Sequence, residues 1–164
     1  MAEGAFRLLS DFRGIASHFE VWSAGTVCYQ SGSSPDSRAV RAAARSGSDI
    51  SGIRARCIHN LDISWFDHVF VMDHDNYREV VAVLDGGIRP VVHMMTDFAD
   101  GIAGTEIEDP YYGSEAGFDS TFASLAVCVR GILDHLISAH AIDIGDPEEP
   151  IRLNIQEVNH GSAG

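Results

Sequence analysis

No lysine occurs among the 164 residues, and all eleven basic side chains are arginine. Chemistry that needs a side-chain amine, such as a Schiff base, therefore has no donor. Basic groups are also outnumbered: twenty-four Asp and Glu residues leave a formal charge of −13. That excess argues against a general binder of nucleic acid or of an anionic membrane, because either needs clustered cations. A single small basic pocket for phosphate stays compatible with it. Cysteine is scarce. Cys28, Cys57 and Cys128 show no C-x-x-C spacing, so neither a zinc ribbon nor a redox pair is signalled, and three reduced thiols in a cytoplasmic protein are expected. No apolar run approaches the roughly eighteen residues of a membrane span. Met1-Ala2-Glu3-Gly4 leads straight into an amphipathic pattern rather than a secretory leader. A soluble domain without a cofactor is the expectation.

What is present suits one compact domain: 45% of the residues are apolar and 21% charged, enough for a core. Residues 2–16 place Ala5, Leu8, Leu9, Phe12 and Ile15 at helical spacing, with Gly14 weakening the end. Residues 19–24 alternate and read as a strand, followed by a Gly- and Ser-rich loop over 25–35. Asp36 or Ser37 caps a helix carrying Val40, Ala43 and Ala44, which Gly47 stops. The run His68-Val69-Phe70-Val71-Met72 has strand length, and a helix starts at Asp73-His74-Asp75-Asn76 and ends at Gly86-Gly87. Residues 88–94 form a further strand. The clearest element is a long amphipathic helix in which Phe118, Phe122, Leu125, Val129, Ile132, Leu133 and Leu136 form one stripe. From residue 143 the chain turns acidic and polar around Asp146-Pro147-Glu148-Glu149-Pro150, so a mobile tail over 143–164 is expected after a domain over 1–142.

Strands alternating with helices predict an α/β fold with a doubly wound parallel sheet, whose ligands sit beyond the carboxyl ends of the strands. The loops 23–34, 73–76 and 94–113 are therefore the ones to examine. Asp73-x-Asp75-Asn76 lacks the Gly and Glu of a calcium loop and reads as a helix start. The histidines show no ligand spacing, so no metal is expected.

Several segments in order resemble the low-molecular-weight protein-tyrosine phosphatases. They are Met1-Ala2-Glu3-Gly4 with Phe6; Ser23-Ala24-Gly25-Thr26; Asp36 with Arg38, then Ala55-Arg56; Phe66-Asp67 with Met72-Asp73 and Asn76; and Asp109-Pro110-Tyr111-Tyr112-Gly113 with Phe118 behind it. The resemblance runs from residue 1 to about 137. It implies a four-stranded, flavodoxin-like sheet and hydrolysis of phosphotyrosine monoesters through a phosphocysteine. By the same resemblance Asp109 is the general acid, Tyr111 and Tyr112 form an aromatic rim with Tyr29 as the opposite wall, and Ser23 is the hydroxyl that steadies the catalytic loop. Where many members carry a histidine before the Ala-Arg pair, this chain has Ile53.

The family's nucleophile motif, C-x5-R-[ST]-P, is absent. Six residues after Cys28 stands Ser34, after Cys57 Ile63, and after Cys128 Asp134. The expectation is an amino-terminally truncated member that lacks the first, internal strand of the sheet and its Cys and Arg, and is inactive as it stands. Such a chain would fold poorly or self-associate through the gap. A pseudophosphatase or binding module is the alternative, and a relative of the arsenate reductases, using Cys57 and Cys128, is a lesser one. Phosphotyrosine proteins or small phosphate esters are the partners implied.

Overall fold

The fold is known from a computed structural model that describes residues 1–84 and 90–144. The expected helix stop at Gly86-Gly87 lies outside those residues, as do the acidic linker and nearly all of the tail.

Among the described residues, four α-helices and two strands carry the structure: α1 (Ala2–Phe12), α2 (Ser37–Arg45), β1 (His68–Val71), α3 (His74–Leu84), β2 (Val91–Met94) and α4 (Glu115–Ala139). α4 is the axis of the core. Its buried stripe is Phe118, Phe122, Leu125, Cys128, Val129, Ile132, Leu133 and Leu136, and it packs on α1, α2 and the short turn Met95–Phe98. The 25-residue helix is long and apolar enough by composition to reach across a bilayer. Its stripe is instead the centre of this core.

The remaining helices show why their sequences start and stop where they do. The Asp36 carboxylate accepts the Arg38 N–H at 2.8 Å and caps α2. Gly47, at φ +82°, ends the chain's helical run in a conformation that favours glycine. Asp73 accepts the Asn76 N–H at 2.6 Å and starts α3, the helix-start role its sequence predicts. α1 departs from expectation. It buries Glu3, Gly4, Ala5, Phe6 and Ser10, while Phe12 is 43% exposed. The rotation follows from close packing at Gly4, where a Cβ would lie 2.2 Å from Ile50 Cγ2. It is tolerated because the two polar groups it buries are satisfied: Ser10 Oγ donates to the Arg7 carbonyl at 3.0 Å, and Glu3 gains the partners described below.

β1 and β2 are parallel, from His68 opposite Val91 to Val71 opposite Met94. Among the described residues they make up a two-stranded sheet, where the expectation was three strands of a four-stranded family sheet without its first. Residues 19–24 do not form the strand their alternation suggested. The neighbouring contact is a single bridge, with Gly25 N–H donating to the Arg56 carbonyl at 2.9 Å and Ile58 N–H to the Gly25 carbonyl at 3.0 Å. Alternation specifies a strand only when a partner supplies the ladder, and no ladder forms here. Between 19–27 and 67–72 lies a mostly apolar cavity of about 840 Å³, lined also by residues of α1 and α4.

The cysteines correct the expectation of three free thiols. Cys28 and Cys57 form a disulfide with a Cα–Cα distance of 4.8 Å, tying the Gly-rich loop to the segment before Ile58. Cys128 is free and buried. A pair made of Cys57 and Cys128 is thereby ruled out, and with it the basis for the arsenate-reductase reading. The bridge closes a loop across a separation of 29 residues, so chain entropy assigns it about 3–4 kcal/mol. Reduction is expected to lower the urea midpoint accordingly, and Cys28→Ala with Cys57→Ala should reproduce the reduced midpoint without reductant.

Candidate active site

Both loops that leave the carboxyl ends of β1 and β2 contribute to one face. After β2 the chain enters the turn Met95–Phe98 and then the loop carrying Asp109. Thr96, fully buried, donates from Oγ1 to the Thr105 carbonyl at 2.7 Å and pins the base of that loop. Ile107 N–H donates to the Met72 carbonyl at 2.9 Å, fastening the loop to the end of β1. Glu106 then accepts the His74 N–H at 2.9 Å, at the start of α3.

Asp109 opens a short turn, Pro110–Tyr112, and its carboxylate accepts the Tyr111 N–H at 3.0 Å. The rings of Tyr111 and Tyr112 meet edge to face at 5.2 Å. Tyr112 is 95% exposed, so its ring is presented rather than packed. Arg38 fixes the turn from outside. Its guanidinium donates to the Tyr111 carbonyl at 3.0 Å and the Gly113 carbonyl at 3.1 Å, and lies over the Phe118 ring at 4.5 Å. Asp36 holds the same guanidinium through two further bonds, and that hydrogen bonding draws the Asp36 carboxyl below the usual carboxylate range. Arg41 and Arg45 do the same to Glu115 at the start of α4. The Asp36-x-Arg38 pair was legible in the sequence; its bracing of the tyrosine loop, some seventy residues away, was not. Arg38→Ala is expected to free the loop. Amide exchange at Tyr111 and Gly113 should rise about tenfold or more, while Asp36 still caps α2.

A second polar centre sits at the cavity. Glu3 is 5% exposed. Its carboxylate accepts Ser23 Oγ at 2.6 Å, Arg7 Nε at 3.1 Å and Nη2 at 3.0 Å, and Arg56 Nη1 at 3.4 Å. Arg56 also lies over the Trp22 ring at 4.9 Å. A buried carboxylate is stable only when paired in this way. The signal for it in the sequence was the four-residue spacing of Glu3 and Arg7, which also appears on any solvated helix face.

The structure therefore divides the residues expected in the site. Asp109, Tyr111 and Tyr112 share one braced turn. Ser23 belongs to the Glu3 centre and lines the cavity, whereas Asp109, Tyr111, Tyr112 and Tyr29 do not line it. Tyr29 stands in the short turn Cys28–Gln30 next to the disulfide and is 83% exposed. Among the described residues no group of three or more His, Cys, Asp or Glu side chains is arranged to hold a metal ion.

Comparison with known proteins gives a consistent picture. The family description "Low molecular weight phosphotyrosine protein phosphatase" matches residues 1–142. A low-molecular-weight protein-tyrosine-phosphatase of Synechocystis is 35% identical over 136 residues, covering 82% of this chain and 86% of that protein. The human low molecular weight phosphotyrosine protein phosphatase is 29% identical over 136 residues, covering 82% and 85%. Among solved structures, a protein tyrosine phosphatase of Entamoeba histolytica, crystallised with Hepes in its active site, superposes with a TM-score of 0.78 at 29% identity. That superposition covers 85% of this chain and 88% of the other. These matches extend over nearly the whole domain and lend no support to an amino-terminal truncation.

Proposed function

The chain belongs to the low molecular weight phosphotyrosine protein phosphatase family, and from that premise we propose that it keeps the acid half of a phosphotyrosine hydrolase while these 164 residues hold no nucleophile. One observation carries the reading: every cysteine is accounted for without yielding a reactive thiolate. Cys28 and Cys57 are bonded to each other, and burial pushes the Cys128 thiol upward. None of the three is followed six residues later by an arginine. In the family chemistry a thiolate attacks phosphorus while backbone N–H groups and an Arg gather the charge on the equatorial oxygens. Asp109 would then protonate the departing phenol oxygen, and later deprotonate the water that releases phosphate from sulfur. Asp109 is exposed and its carboxylate accepts a single backbone N–H, which supports the acid role. Tyr111 and Tyr112 beside it offer ring faces for a phenyl group.

The largely apolar lining of the cavity between 19–27 and 67–72 supports the reading that one further extended strand would lie there, in parallel with β1. A strand there would deliver its carboxyl end to the loops that carry Ser23 and Asn76, where a phosphate-cradling turn would have to sit. Ser23 would steady that turn, and Tyr29 would face the tyrosine pair. Phosphotyrosine proteins or small phosphate esters as substrates belong to the same reading.

The test is phosphate release from para-nitrophenyl phosphate by the 164-residue chain. No release above a no-protein blank is expected, and steady turnover would overturn the proposal. A second reading, a module that holds phosphotyrosine partners without cleaving them, is favoured by the bracing of the tyrosine loop by Arg38, which persists without any nucleophile. Binding of a phosphotyrosine peptide that Arg38→Ala weakens would separate it from the first.

A further inference from the structure

Half of the eight histidines gather at one place, where the amino end of β1, the middle of β2 and the last turns of α4 meet. His68 is central. Its Nδ1 lies 3.2 Å from His93 Nε2, and its Nε2 lies 2.9 Å from His140 Nε2. The His68 and His93 rings stack at 5.4 Å, with Phe70 continuing the stack. His135 of α4 meets both edge-on, at 6.3 Å and 5.9 Å. His68 and His140 also form part of the cavity wall, beside Leu136 and Ile142.

We propose that the His93–His68–His140 array is a proton-counting latch that holds the end of α4 against β1 and releases it when the array takes up a second proton. The count follows from the two contacts. Each N···N contact must hold one hydrogen: none leaves two lone pairs facing, and two leave N–H groups head to head. With the three rings neutral, three hydrogens are present: two fill the contacts and one sits on an outer Nδ1 of His93 or His140. A first added proton goes to the other outer nitrogen, and both contacts survive with one positive charge. A second added proton has only a contact to enter, and that contact opens.

The surroundings set the direction. Burial, and then the neighbouring histidines, hold the His68 and His93 imidazoles below their ordinary value. Asp67 beside β1 and Asp97 in the turn after β2 oppose that shift. On α4, His135 adds to the repulsion, and Asp134 is engaged by Arg13 at 2.6 Å. The folded state thus binds fewer protons than the unfolded one. Stability contributed here is complete above about pH 6.5 and is lost as pH falls through the lowered folded values. Opening His68–His140 detaches the rim of the cavity at Leu136 and His140.

Hydrogen exchange of the amides at 136–142 in the whole chain tests the latch, after correction for the intrinsic pH dependence of exchange. Between pH 7.5 and 5.0 their opening should increase by about tenfold or more. His140→Gln, which keeps a polar side chain but removes the ring nitrogen facing His68, should remove that step. His59→Gln, which removes the separate pair with Glu79 at 3.0 Å, should keep it. Equal protection at both pH values, or a step that persists in His140→Gln, would overturn the latch.

Discussion

Joined ahead of Met1 to an apolar strand that ends in a Cys-x5-Arg-Ser-Pro loop, these residues are expected to gain phosphatase activity that depends on Asp109. The unjoined chain should show none. Asp109→Ala in the joined protein should lower kcat by about 10²–10⁴-fold, the range for a positioned general acid. The size of the loss should depend on the leaving group. Para-nitrophenol leaves readily as an anion, whereas the phenol of tyrosine, with a pKa near 10, needs the proton at the moment the bond breaks. The loss should therefore be larger on a phosphotyrosine peptide than on para-nitrophenyl phosphate. Equal losses on the two substrates would remove Asp109 from the acid role while leaving the nucleophile argument intact.

Gly131→Ala is expected to be the most damaging small substitution in the core. Elsewhere in an exposed helix, replacing Gly by Ala stabilises by about 0.8–1.0 kcal/mol. At 131 the new Cβ would lie 1.8 Å from the Phe98 carbonyl oxygen and 2.9 Å from its carbon, both backbone atoms that no rotamer change can move. Overpacking of this kind costs about 1–3 kcal/mol and sometimes more, a large fraction of the roughly 5–15 kcal/mol by which domains are stable. Gly117 is the control. Its Cβ would meet Pro110 Cβ at 3.6 Å, an ordinary contact, so Gly117→Ala should hold or raise the urea midpoint. A Gly131→Ala protein with the midpoint of Gly117→Ala would contradict the close approach of α4 and the turn after β2.

Legibility in the sequence tracked how local the cause of each feature is. α4 was plain, because its stripe from Phe118 to Leu136 repeats over many turns. So were the caps of α2 and α3, where Asp36 and Asp73 act on N–H groups two or three residues away. The strand over 19–24 was misread because its alternation is local while the ladder it needs depends on a distant partner. α1 was read on its apolar residues, but its orientation is set by Gly4 against Ile50 and by Glu3 finding Ser23, Arg7 and Arg56. The disulfide was invisible for the same reason: the 29-residue separation of Cys28 and Cys57 carries no signal. In the site, the Asp109 loop stood out by resemblance, whereas its brace, Arg38, joins it only through folding. The histidine cluster drew no attention because its members are scattered along the sequence, and β1, β2 and α4 assemble them.

The central position of α4 has a consequence for how the chain is made. α1, α2 and the turn after β2 all bury their apolar sides against a helix that ends at Ala139. Synthesis runs from the amino end at about 5–20 residues per second. For several seconds, then, the earlier elements leave the ribosome with exposed greasy faces and nothing to cover them. Folding of this domain waits on α4, and premature termination before it would release a chain for chaperones rather than a smaller domain.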